Sequence, residues 1–237
     1  MLTQVNHWIE IAAVVVDALL LLRILQLRLY RTYLFITLAC VVGLFFDSVG
    51  LWLGMESRES VRVFLYSRFL YAFIFPAASY DVWEEIKSQI ARIRRLAMFR
   101  LLASLTLAAI LGLIIAGFAG NEENGGETLM GTFAVILWAA ASTASLAFLW
   151  SLHRLARAQK ITLPNNTAVW LLYYQLSLAG EVVACFLIII GSQFNSFVTN
   201  AFDISLNLYG VFITLWCIWK LRALTSDVPS APENASL

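Results

Sequence analysis

The sequence predicts an all-α integral membrane protein, a seven-transmembrane helix bundle with its N-terminus outside and its C-terminus cytoplasmic. Three observations carry that expectation: an apolar composition, seven apolar stretches of spanning length, and basic residues gathered on one side of the connecting loops. Of the 237 residues, 61% are hydrophobic and 13% charged, with a mean hydropathy of +0.80. A soluble domain carries roughly a quarter charged residues.

A helix needs about twenty mostly apolar residues to cross a hydrocarbon core of roughly 30 Å, and in lipid the backbone has to satisfy its own hydrogen bonds. Seven segments meet that requirement, at 8–29, 33–54, 62–86, 98–119, 129–152, 168–191 and 199–221. The first lacks the leading Lys or Arg of a secretion signal and carries Glu10 and Asp17, so it is expected to stay in the mature protein. Residues 1–224 are thus expected to form a single transmembrane domain. The Ser-, Pro- and Ala-rich residues 225–237 read as a disordered cytoplasmic tail, too short to hold an output domain.

Orientation follows from the short loops, because Lys and Arg resist translocation. One side collects Arg23, Arg28 and Arg31, then Lys87, Arg92, Arg94, Arg95 and Arg100, then Arg154, Arg157 and Lys160, then Lys220 and Arg222. The other side holds Arg58 and Arg62, with Arg68 inside the third span and an acidic loop of Glu122, Glu123 and Glu127. Trp8, Trp52, Trp83, Trp150, Trp170 and Trp219 fall near span ends, where an indole favours the headgroup region. A multi-pass protein of the cytoplasmic (inner) membrane is expected, with the lipid bilayer as its first partner.

Composition and spacing exclude several classes of function. A net charge of +1, with no basic tract facing a soluble domain, argues against a nucleic-acid partner. Cys40, Cys185 and Cys217 lie inside apolar runs and read as small hydrophobes. His7 and His153 sit at opposite membrane faces, so they cannot together ligate a haem or zinc, and no Ser–His pair is available inside the membrane. The last span has no mid-membrane lysine for a retinal Schiff base. No catalytic residues, metal or cofactor are expected.

Two surfaces invite contacts. Ser104, Ala108, Gly112, Ala116 and Gly120 recur every fourth residue in the fourth span and form a smooth helix-packing ridge. Its expected partner is the small-residue patch from Ala139 to Ser145, and a homodimer through the same ridge is the alternative. Beyond the third span, Ile86, Ile90 and Ile93 continue a helical stripe while Lys87, Arg92, Arg94 and Arg95 form a cytoplasmic basic face, suited to anionic headgroups or a protein partner.

The most informative residues are ionisable ones placed inside the spans, since one at the bilayer centre costs about 2.5–3.5 kcal/mol on insertion scales. Glu10 and Asp17 share a face of the first span; Asp47, Arg68, Glu181 and Asp203 sit in the second, third, sixth and seventh. Helical spacing groups Asp203, Asn207, Gly210 and Thr214 on one face, Tyr174, Ser177, Glu181 and Cys185 on another, and Arg68, Tyr71, Phe75 and Ser79 on a third. If these faces converge, Arg68 is expected to pair with Asp47 or Asp203, with Glu181 and Asp17 deeper. A purely structural role, pairing or neutralising buried charge, is the competing account.

The candidate site is therefore Glu181, Asp203, Arg68, Asp47, Asp17, Asn207 and Tyr174, binding an ion, a proton or a small ligand. The function expected is a non-enzymatic sensor or binding module, or an accessory subunit, with a polar site in the outer half of the bundle. The alternative is a small ion- or proton-coupled transporter using Glu181 and Asp203, which needs a polar path on both sides of Glu181; Asp81 is the candidate for the inner half. A lipid-modifying enzyme would have to rely on Asp81 with Glu84 or Glu85, groups more simply read as solvated at a helix end.

Overall fold

Backbone groups that face lipid have to pair within their own segment, and among the described residues the chain is helical apart from short turns. The computed structural model describes residues 2–53, 58–87, 99, 103, 106, 126–190 and 196–223. Six long helices result: α1 (Leu2–Gln26), α2 (Leu34–Leu53), α3 (Arg58–Lys87), α4 (Gly126–Ala158), α5 (Asn165–Ile190) and α6 (Ser196–Lys220). Four of them contain stretches long and apolar enough to cross a membrane, at Leu34–Leu53, Phe133–Ala158, Asn165–Cys185 and Ala201–Lys220. The chain is a membrane protein.

Those four match the second, fifth, sixth and seventh predicted spans. The first and third predicted spans are helical too, but outside that group: α1 carries Glu10, Asp17 and Arg23, and α3 carries Arg62, Arg68, Asp81, Glu84 and Glu85. Apart from three isolated positions, the predicted span 98–119 lies outside the described residues. So do the ridge of Ser104, Ala108, Gly112, Ala116 and Gly120, the basic residues Arg92, Arg94 and Arg95, and the tail 225–237.

Among the described residues the helices pack as a closed ring: each lies against the next, α6 closes on α1, and α3 also meets α5 across the interior. α3 and α4 run parallel. Leu65 lies 3.4 Å from where a Cβ on Gly131 would be, near the start of both helices, and Trp83 stacks edge-on against Phe148 toward their ends. Outward faces are apolar, with Leu19, Leu22, Phe45, Phe69, Phe73 and Phe212 all exposed, a surface that suits acyl chains and not water.

The tryptophans divide. Trp8, Trp52, Trp150 and Trp219 are exposed, as an interfacial ring should be, but Trp83 and Trp170 are fully buried in the core. Proximity to a span end does not separate the two, because that depends on which helix face the ring occupies.

The end of the bundle at which α1 finishes is tied together by helix caps. An isolated helix leaves its first N–H and last C=O groups unpaired, and here neighbouring helices supply the partners. Asp81 of α3 accepts the Ile36 amide N–H in the first turn of α2 at 2.9 Å. Asn166 of α5 grips the Arg222 backbone from both sides, donating to its carbonyl at 2.8 Å and accepting its N–H at 3.0 Å. Arg23 of α1 donates to the Leu221 carbonyl at 3.1 Å, a cation at the negative end of α6. Tyr33 and Thr167 join the starts of α2 and α5 through their hydroxyls at 3.0 Å.

α4 ends locally. Lys160 takes a left-handed conformation (φ 52°), the Lys160 N–H reaches the Arg157 carbonyl and the Ile161 N–H reaches that of Ala156, the paired bonds that close a helix C-terminus. Pro164 then starts the next helix by accepting the Ala168 N–H.

Asp81 is thus not a solvated helix-end group. It is 6% exposed and occupied with α2. Glu84 does stay nearer the surface, paired with Lys87 one turn on. Removing the cap in Asp81→Ala should cost about 0.5–2 kcal/mol, the usual worth of an N-cap, and lower the thermal midpoint in detergent. Glu84→Ala, which breaks a partly exposed pair, should cost no more than about 1 kcal/mol.

Candidate functional site: a polar cavity at one end of the bundle

Among the described residues the opposite end of the ring does not close. A cavity of about 850 Å³ opens there, lined by α1 from Asn6 to Leu20, α2 from Ala39 to Leu51, α3 from Ser60 to Phe75, Trp138 of α4, α5 from Tyr173 to Leu187 and α6 from Asp203 to Thr214. Two glycines hold space along it. A Cβ on Gly210 would meet nothing within 4 Å, whereas one on Gly43 would stand 3.3 Å from the Tyr71 hydroxyl. The tyrosine crosses from α3 to α2 because position 43 has no side chain.

All seven sequence-predicted site residues, Asp17, Asp47, Arg68, Tyr174, Glu181, Asp203 and Asn207, line this cavity. The three polar faces read from helical spacing converge on it, except that Ser79 and Cys185 lie beyond the lining. Ser79 instead donates to the carbonyl of Phe75 in its own helix at 2.9 Å, and Cys185 is buried without a disulfide.

The pairing inside the cavity differs from the expected one. Arg68 bonds to Glu181, Nη1 to Oε2 at 3.2 Å, and not to Asp203. Asp47 instead stands beside Asp17, close enough to Arg68 to feel its charge. Ring order allows either partner, since α3 lies against α2 and also meets α5 across the interior; it is the Glu181 carboxylate that reaches the guanidinium. Asp203 sits at the mouth, exposed.

Arg68 is held from three sides by aromatic rings. Its guanidinium carbon lies 4.1 Å from the Trp138 ring centroid, 4.4 Å from Phe64 and 5.7 Å from Tyr71, a cation–π environment that suits a planar, weakly hydrated cation. Trp138 is completely buried, and its indole N–H turns toward the Glu181 carboxylate without completing a hydrogen bond to it; Arg68 Nε likewise completes none. At the mouth, Asn6 donates to Glu10 at 2.7 Å and accepts from Asn207 at 3.4 Å, joining α1 to α6.

The floor is aromatic. Tyr173 and Tyr174 line the cavity and pack against Trp170, with ring centroids 5.7 and 6.3 Å away, and Trp170 in turn meets Tyr33 at 6.1 Å. Below this layer lies the capped end, dense with Ile24, Ile36, Trp83, Leu149 and Cys217.

Asn6, Trp138 and Tyr173 also belong to the site, and sequence reasoning did not single them out. Trp138 had a signal: it falls in mid-span, away from the headgroup depth that accounts for an interfacial tryptophan. Asn6 lies before the first predicted span and had none. Among the described residues no cluster of His, Cys, Asp and Glu suits a metal ion. No known protein family, curated protein or solved structure matches the chain.

A double-mutant cycle tests the ion pair. Arg68→Met and Glu181→Gln should each lower the thermal midpoint, and the double variant should cost less than the two together by about 0.5–3 kcal/mol, the coupling of groups in contact. Strict additivity would show that the pair contributes nothing.

Proposed function

We propose that the chain is a seven-span protein of the cytoplasmic membrane whose cavity opens to the outside, and that it works as a non-enzymatic sensor or binding module, or as the ligand-binding subunit of a membrane assembly. The observation that carries this reading is the asymmetry of the bundle: a polar cavity in one half and a capped, aromatic-sealed core in the other.

The parallel course of α3 and α4 supports the span count. The chain leaves α3 at the capped end and enters α4 at the cavity end, a return that the span expected from the sequence at 98–119 would make. The described chain then starts at the cavity end and finishes at the capped end, as an odd count requires. The basic side chains Arg23, Arg154, Arg157, Lys160 and Arg222 all belong to the capped end, which the positive-inside bias assigns to the cytoplasm.

A transporter needs polar groups that alternate access across Glu181. Asp81, the inner candidate, is committed to the start of α2, and Tyr173 and Tyr174, packed on Trp170, floor the cavity. That arrangement favours a pocket with a floor over a path.

Two measurements check the reading. In a background lacking Cys40, Cys185 and Cys217, a cysteine at Asn207 should react with a membrane-impermeant maleimide added outside intact cells, and one at Lys160 only after permeabilisation. The reverse pattern would invert the topology. In proteoliposomes under an imposed pH gradient, parent and Glu181→Gln should both show no proton flux above protein-free vesicles; a flux that the substitution abolishes would establish a carrier instead.

A further inference from the structure

The cavity holds more negative charge than its own cation offsets. Glu10, Asp17, Asp47, Glu181 and Asp203 line it, Arg68 is the basic side chain among the described lining residues, and its contact is spent on Glu181. The Asp17–Asp47 pair and Asp203 are left without a cation in contact, in a site walled by Tyr71, Phe75, Tyr173 and Tyr174. Tyr71 and Phe75 stack face to face with centroids 5.1 Å apart, presenting the ring faces that attract organic cations.

A second observation points to a guest. Trp138, fully buried and part of the lining, turns its indole N–H toward Glu181 without completing a hydrogen bond to it, and a buried donor left unsatisfied costs about 1–3 kcal/mol. A ligand oxygen in the cavity would satisfy it. The volume of about 850 Å³ fits a small organic molecule, not a bare ion, and no carboxylate cluster suited to a metal occurs among the described residues.

Resting on the reading of the cavity as an outward binding pocket, we propose that its ligand is a small organic ammonium ion bearing a hydrogen-bond acceptor. The nitrogen sits between Asp17 and Asp47, the body lies among Tyr71, Tyr173 and Tyr174, and the acceptor oxygen takes the Trp138 N–H. An ammonium of this kind is offered both by free amines and by ethanolamine lipid headgroups.

The test is calorimetric titration of the full chain in a neutral maltoside detergent with three probes: tyramine, phenethylamine, which lacks the phenolic oxygen, and 4-hydroxyphenylacetate, which keeps the ring and reverses the charge. Tyramine should bind saturably at one site and the anion should not bind. Asp17→Asn/Asp47→Asn should weaken tyramine about tenfold or more, as losing a charged hydrogen bond does. Trp138→Phe should weaken tyramine several-fold and leave phenethylamine unchanged. Gly210→Phe, placed where a side chain meets open space, should keep the parent's melting curve and block binding.

Added phosphatidylethanolamine that displaces tyramine identifies a lipid source for the same chemistry; tyramine binding indifferent to that lipid identifies a free amine. Preference for the anionic probe, saturable binding of sodium chloride alone that Asp47→Asn removes, or no binding of any probe overturns the ammonium assignment. The probe comparison on the parent chain decides the matter even where a variant does not fold. Labelling of Asn207→Cys from outside judges the pocket reading separately.

Discussion

No polar group on a membrane-buried helix can rely on water, so each must find a partner on another helix or face a cavity. The packing of this bundle follows from that constraint. At one end the unpaired groups of the helix termini meet: the α2 amide on Asp81, the carboxyl end of α6 on Arg23, Asn165 and Asn166. These bonds join α1 to α6, α2 to α3 and α5 to α6. The aromatic and aliphatic core fills in behind them. At the other end the ionisable side chains face each other across a space that the described residues do not fill.

Arg68 links the two principles. A guanidinium in the interior of a bundle needs both a counter-charge and a weakly polar surround, and it has them in Glu181 and in the rings of Phe64, Trp138 and Tyr71. Because Glu181 is on α5 and Arg68 on α3, the pair also joins helices that face each other across the ring. The cavity is what remains around that bridge. Its other carboxyls, unable to share the one arginine, lie paired with each other or at the mouth, and this leaves the negative balance that favours a cationic guest.

Helical periodicity made much of the site legible. Asp203, Asn207, Gly210 and Thr214 share a face by spacing alone, and so do Tyr174, Ser177 and Glu181; both faces do line the cavity. The partner of Arg68 was not legible, since Asp47 and Asp203 read at its own depth and Glu181 deeper, and which carboxyl reaches it depends on how the helices are set against one another. Asp81 was misleading for a related reason. A carboxylate near the end of a span resembles an interfacial group until the start of another helix is placed against it.

The sequence by itself determined that the chain is helical and lives in a membrane, which residues are polar inside the spans, and which of them share a helix face. Those properties are set within one segment, by hydropathy and by the 3.6-residue turn. Tertiary structure alone decided which faces meet, that Glu181 and not Asp47 or Asp203 takes Arg68, that Trp83 and Trp170 are core, and that the bundle is open at one end and capped at the other. Those are properties of pairs of helices far apart in the chain, and no local periodicity encodes which distant surface a helix face will cover.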